Sequence, residues 1–199
     1  MTKSIFRLFV LLALSASLSA CISVHSYVDN SLGDPQYASL KKPATPQPIQ
    51  LLFEFQTKDV SNARATESIR PKVFEELSKS GLFSSVSYDP VQNGRKLAIL
   101  IKNVPLTENA AGKGFATGLT LGLAGSTVAD GYECTMTYIE PGHANVVAQV
   151  KHSIVSTIGN ASGPAGMQAM TLQEAADKAM RQMVGNGIMQ LSNKSDLAQ

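Results

Sequence analysis

The sequence contains no tryptophan, two cysteines and three histidines, and aromatic residues make up only 6% of its 199 positions. So few flat rings speak against a carbohydrate-stacking site. His25, His143 and His152 fall into neither an HxH nor an HExxH spacing, and Cys134 has no cysteine near it. The ligand spacings of a zinc site are therefore missing. No Gly-x-Ser-x-Gly elbow surrounds any serine. Gly112-Lys113-Gly114 is not a phosphate loop, because its lysine is not followed by serine or threonine after the required glycine spacing. No apolar run reaches the roughly 20 residues that cross a bilayer core.

What is present at the N-terminus is a targeting pattern. Lys3 and Arg7 give a positive start, Leu8 to Leu18 form a short apolar run, and Leu18-Ser19-Ala20-Cys21 follows. The run suits the h-region of an export signal and is set aside from fold reasoning. Small side chains before the cut fit a narrow peptidase site. The Cys21 thiolate is the nucleophile that takes a diacylglyceryl group, so Cys21 is the expected lipidation site and the carrier of palmitate. The tetrapeptide resembles the bacterial lipobox. Ile22, where an aspartate commonly retains lipoproteins at the inner membrane, favours the outer membrane.

Removing the signal changes the charge balance. Taking Lys3 and Arg7 from the 17 basic residues leaves 15, equal to the 15 acidic ones. The formal +2 thus belongs to the signal, and no basic patch points to nucleic acid. With Cys21 acylated, Cys134 is the only remaining cysteine, and no intramolecular disulfide can form.

The chain divides into a signal peptide over 1–20, a lipidated N-terminus and tether over 21–50, and one periplasmic domain over 51–199. Pro43, Pro46 and Pro48 favour extended backbone in the tether. As a flexible coil its roughly 29 residues span about 30 Å on average. His25, Tyr27 and Tyr37 are the side chains in it able to dock part of the arm onto the domain.

The domain opens with a strand at Leu51 to Phe55, with Leu51, Phe53 and Phe55 on one face. A helix follows from Ser61 or Asn62 to Ser80, burying Ile69, Val73 and Leu77, kinked or split at Pro71 and stopped by Gly81-Leu82. Mixed charges on this helix, such as Glu75 and Lys79, mark a solvated face. Phe83 to Tyr88 reads as a second strand, and Lys96 to Val104 as a strand buried on both faces. Tyr132, Cys134, Met136 and Tyr138 alternate with polar residues. Glu140-Pro141-Gly142-His143 then turns the chain into Val146 to Ile158, an antiparallel hairpin. Thr171-Leu-Gln-Glu174 is a capping box opening a last helix, whose end Gly185 and Gly187 loosen. The expected fold is α+β: a mostly antiparallel sheet with two helices packed on one face.

Gly114 to Ala129 is uncharged and glycine-rich, with Gly114, Gly118 and Gly122 spaced by four. In a helix these would line one face and admit a close neighbour, yet each glycine costs about 1 kcal/mol against alanine. Three readings stay open: a loop or small packed helix, an apolar flap beside a binding surface, or a membrane or self-association segment. His152 reads as a partly buried sheet residue, and Cys134 as a small hydrophobe on the apolar strand face.

The order of strand, helix, Gly81-Leu-Phe-Ser-Ser-Val86 and paired strands, behind a lipobox, resembles small outer-membrane lipoproteins of accessory or unknown function. The lipopolysaccharide-assembly and curli-secretion lipoproteins share this style over residues 50 to 105. The resemblance carries over Cys21 as the lipid site and nothing catalytic. It implies a non-enzymatic protein without cofactor, anchored in the outer membrane and binding an envelope protein or component in assembly or transport. The alternative is a carrier of a lipid or small apolar ligand, with residues 114–129 as its flap.

Overall fold

The computed structural model describes residues 23–107 and 125–194. Cys21, Gly114, Gly118 and Gly122 lie outside the described residues. The described part is an α+β fold: a seven-stranded, mostly antiparallel sheet with two helices on one face. In chain order the elements are β1 (Val24–Val28), β2 (Ile49–Thr57), β3 (Val60–Ser61), α1 (Ala63–Ser80), β4 (Val86–Ser87), β5 (Lys96–Pro105), β6 (Ser126–Ile139), β7 (Val146–Ile158) and α2 (Leu172–Lys194). The sheet runs β1-β7-β6-β5-β2-β3, with β4 paired to β2. β2 and β5 are parallel neighbours, joined through α1 and β4, whereas β5, β6, β7 and β1 pair antiparallel.

Side chains alternate across each strand. One face carries Ile49, Leu51, Leu97, Ile99, Ile101, Cys134, Met136 and Val150, all buried under Val73 and Leu77 of α1 and Val184, Ile188 and Leu191 of α2. Each fully buried aliphatic contributes roughly 1.5–3 kcal/mol, and this layer is the core.

Local chemistry sets the helix boundaries. The Asn62 side chain accepts from the Ala65 amide at 3.0 Å, and Gly81 ends α1 in the left-handed region at φ 64°. α1 runs unbroken through Pro71. Pro71 and Glu67 are both exposed, so the carbonyl freed by the missing amide faces water. At α2 the capping box forms in both directions: the Glu174 amide donates to Thr171 Oγ1 at 3.2 Å, and the Thr171 amide to Glu174 Oε2 at 2.8 Å.

Three further expectations change. The arm before residue 50 is folded from Ser23 on. Val24 to Val28 pair with Ile158 to Ile154 as an edge strand, and Leu40 enters the core. Between them, Asp34 accepts from Arg181 and Gln182 of α2, Asn186 donates to the Gly33 carbonyl, and Tyr37 Oη donates to Glu76 at 2.6 Å. A five-residue strand whose partner lies about 130 positions away leaves no periodicity to read. Second, β5 is buried on one face only; Ala98 and Leu100 point away from the helices and are half-buried. Third, Gly185 and Gly187 lie inside α2 rather than at its end, both inward-facing. A Cβ on Gly185 would meet the Pro35 ring at 2.4 Å, and one on Gly187 the Met136 Cε at 2.6 Å. They admit close packing.

Candidate functional site

The helices cover one face of the sheet, and among the described residues no helix packs on the other face across β2, β5, β6 and β7. Strand register orders it into three rungs. The first is Leu52, Ala98, Thr137, Val147; the second Glu54, Leu100, Thr135, Gln149; the third Gln56, Lys102, Glu133, Lys151. Leu52 is 41% exposed and Val147 40%. Four strands at about 4.8 Å spacing make each rung roughly 14 Å wide. The chemistry grades from aliphatic and threonine to a rung of three charged residues and Gln56. Lys151 pairs with Glu133 and Lys102 with Asp59, each at 2.7 Å. Beside the first two rungs lies a shallow concavity of about 520 Å³, closed at its edge by Arg70 and Tyr88. The Arg70 guanidinium sits 5.0 Å from the Tyr88 ring centre, and Phe74 packs on the same ring at 5.1 Å. Such a face offers apolar contact, hydroxyl hydrogen bonding and a charged border, which is the chemistry of recognition.

At the end of the sheet where the β6–β7 turn lies, Arg95 is held against Glu140, with Arg95 Nε donating to Oε1 at 2.9 Å and Tyr138 Oη donating to Oε2 at 3.0 Å. The arginine holds the Glu140 carboxyl below the usual carboxylate range, and burial pushes the Tyr138 phenol up to about 12. His143 and Lys194 also line this open pocket of about 410 Å³. Both Glu140 oxygens are engaged by neighbours, so the group ties the hairpin turn to β5. Gly142, at φ 81°, makes that turn, and the His143 amide closes it on the Glu140 carbonyl.

His152 is buried on the core face of β7. Its Nε2 lies 2.7 Å from Gln182 Oε1, while the Gln182 amide nitrogen donates to Asp34. Because Asp34 takes the amide hydrogens, the Gln182 oxygen faces His152, and the histidine carries its proton on Nε2. Nδ1 has no hydrogen-bond partner among the described residues. Burial is the main cause that holds this imidazole below its usual pKa. Cys134, on the adjacent strand, is buried, and desolvation pushes its thiol up to about 12. Cys134 stands opposite Val150 and His152 opposite Tyr132, and among the described residues no hydrogen bond joins the two side chains.

Of the segment from Gly114 to Ala129, Ser126 to Ala129 form the start of β6 and pair with Ile158 to Val155 of β7. Under the helices a small apolar void of about 100 Å³ is lined by Phe55, Ile69, Ile101, Tyr132 and Met183. Among the described residues, no three His, Cys, Asp or Glu side chains gather to hold a metal ion, and no helix is long and apolar enough to cross a membrane. The open face escaped sequence reasoning. Its signal in the sequence was the polar side of β6, Glu133, Thr135 and Thr137, with Ala98 between large apolar residues of β5.

No family model and no curated protein matches this sequence. Solved structures similar to it include the PelC dodecamer from Paraburkholderia phytofirmans, at 11% identity and TM-score 0.38, covering 87% of this chain and 99% of that one. Rare lipoprotein B from Shewanella oneidensis is similar at 10% identity and TM-score 0.32, covering 74% of this chain and 89% of that one. A minor lipoprotein from Acinetobacter baumannii is similar at 10% identity and TM-score 0.39, covering 76% and 92% respectively. At these identities and scores the likeness carries no statement about function.

Proposed function

We propose that this chain is a non-enzymatic envelope lipoprotein, anchored through palmitate-bearing Cys21 in the outer membrane with its domain facing the periplasm. There it binds another envelope protein or component in assembly or transport. The observation that carries the reading is the lipobox-like Leu18-Ser19-Ala20-Cys21, two residues ahead of a folded domain in which, among the described residues, no helix packs on one sheet face. Anchoring follows from the acyl chains: at about 0.8 kcal/mol per buried CH₂, two or three chains hold a protein stably on a bilayer. Recognition follows from the open face. Leu52, Ala98, Leu100 and Val147 supply apolar contact, Thr135 and Thr137 supply hydroxyls, and the Lys102–Glu133–Lys151 rung fixes the border of the footprint.

The test places a photocrosslinking residue at Leu52, at Val147 and, as a control, at exposed Glu75 on α1, in the full chain expressed in its host. The reading predicts one recurring envelope partner from Leu52 and Val147 and none from Glu75. Equal products from all three positions, or none from the face, contradict it.

A further inference from the structure

Among the described residues, four of the seven large exposed aliphatics lie at one end of the sheet, while Leu52, Val147 and Leu172 lie elsewhere. Val24 opens β1, Val60 sits in the β2–β3 hairpin, and Val104 and Leu106 lie at and just beyond the end of β5. Thr57 of β2 pairs with Asn103, Pro105 with Asp130, and Ser126 with Ile158, which pairs in turn with Val24. The four lie along one slanted rim: Val24 is level with Ser126 and Val104 with Gly131, five residues or about 17 Å further along β6, with Val60 at 68% and Leu106 at 61% exposure. From β1 to β3 the rim crosses five inter-strand spacings, about 24 Å.

The same rim is where the N-terminal chain enters. The Gly159 amide donates to the Ser23 carbonyl at 2.8 Å, and Ser23 Oγ donates back to the Gly159 carbonyl at 3.0 Å. Ser23 is thereby fixed at the end of β1. Covalent geometry keeps the Cα of Cys21 within about 8 Å of that of Ser23. An acyl chain attached there leaves the domain no freedom to stand off from the bilayer.

We infer that this rim, carrying Val24, Val60, Val104 and Leu106, rests in the headgroup region of the lipid bilayer, so that the domain is oriented with its β6–β7 turn pointing away from the membrane. The inference rests on the lipid anchor proposed above. Lipid is the occupant that the geometry favours, because the rim is continuous with the anchor point. A contact held at such short tether length forms even when each side chain adds little. Charges on the rim are mixed: Lys58, Arg64 and Lys102 stand with Asp59 and Asp130, and Lys102 is paired to Asp59. Anionic lipid is therefore not required.

The absence of tryptophan makes the test direct. Single-tryptophan variants of the full lipidated chain, L106W, V60W and V147W, are reconstituted into zwitterionic phosphatidylcholine vesicles with and without lipid brominated near the headgroup. Emission of L106W and V60W is expected to shift to the blue and to be strongly quenched. V147W, at the opposite end of the sheet, is expected to stay unquenched. Protein that floats with the vesicles but shows no quenching at either rim position overturns the inference while leaving the anchor intact. Quenching at V147W alone reverses the orientation and also overturns it. Failure to float, with no lipid on Cys21 by mass spectrometry, removes the anchor and the inference together.

Discussion

Replacing Gly185 by alanine decides whether the N-terminal arm is part of the fold. In an unobstructed helix interior the change stabilises by about 1 kcal/mol, because glycine loses more backbone entropy than alanine. Here the added Cβ would lie 2.4 and 2.5 Å from two ring carbons of Pro35 and 2.8 Å from Tyr37 Oη. Neither group yields cheaply. Proline has no rotatable side chain, and the Tyr37 hydroxyl is held by Glu76 at 2.6 Å. Overpacking of this kind costs about 1–3 kcal/mol, so the net expectation for Gly185→Ala is a destabilisation of roughly 0–2 kcal/mol. Gly187→Ala is the internal comparison. Its closest neighbours are Met136 Cε and Sδ, both at 2.6 Å, the far end of a flexible side chain that can swing aside. That variant should be the more stable of the two. Urea unfolding followed by circular dichroism gives both values, with midpoints compared at constant slope. Tryptic cleavage after Lys41 should speed up in Gly185→Ala, because an undocked arm is exposed; the Lys42–Pro43 bond resists trypsin in any state. A Gly185→Ala protein about 1 kcal/mol more stable than the parent, with unchanged cleavage, would show that Pro35 does not pack on α2 and that the arm is a loose tether after all.

Three further outcomes are expected. Because the folded His152 pKa is depressed, the unfolded chain binds more protons below its own value of about 6.5. The contribution is full above that pH and is lost as pH falls through it; His152→Gln should flatten stability between pH 7 and pH 5, and a variant that keeps the parent's slope there assigns it elsewhere. Thr171→Ala removes the cap of α2 and should cost about 1 kcal/mol, measured by thermal or urea unfolding; an unchanged midpoint would show the capping box to be idle. Cys134, buried and with its thiol pushed up to about 12, should resist alkylation in the native protein and react at once in urea; rapid native labelling would contradict its burial.

Much of the fold was legible where a pattern repeats locally. The alternation of Tyr132, Cys134, Met136 and Tyr138 gave a half-exposed strand, Glu140-Pro141-Gly142 gave its turn, and Thr171 with Glu174 gave the start of α2; each signal lies within a few residues of its consequence. What stayed hidden depends on partners distant in sequence. The β1 strand exists because Ser23 to Val28 find Gly159 to Ile154, and the glycines of α2 make sense only against Pro35 and Met136. β5 misled because Ala98 and Leu100 are apolar yet face away from the helices, so its run of five apolar residues hid a one-sided strand. Of the open face only the polar side of β6 was legible, since its rungs are assembled from four strands. Cys21 was legible as a motif, and Gly114, Gly118 and Gly122 only as a spacing.

The most direct test of the account is the intact mass of the protein extracted from membranes of its host, with Cys21→Ser alongside. The expected product is a chain beginning at Cys21, heavier than the bare polypeptide by a diacylglyceryl group and acyl chains, and a Cys21→Ser variant should take up no palmitate and leave the membrane fraction. An unmodified mature mass, or palmitate labelling that survives in Cys21→Ser, would contradict it.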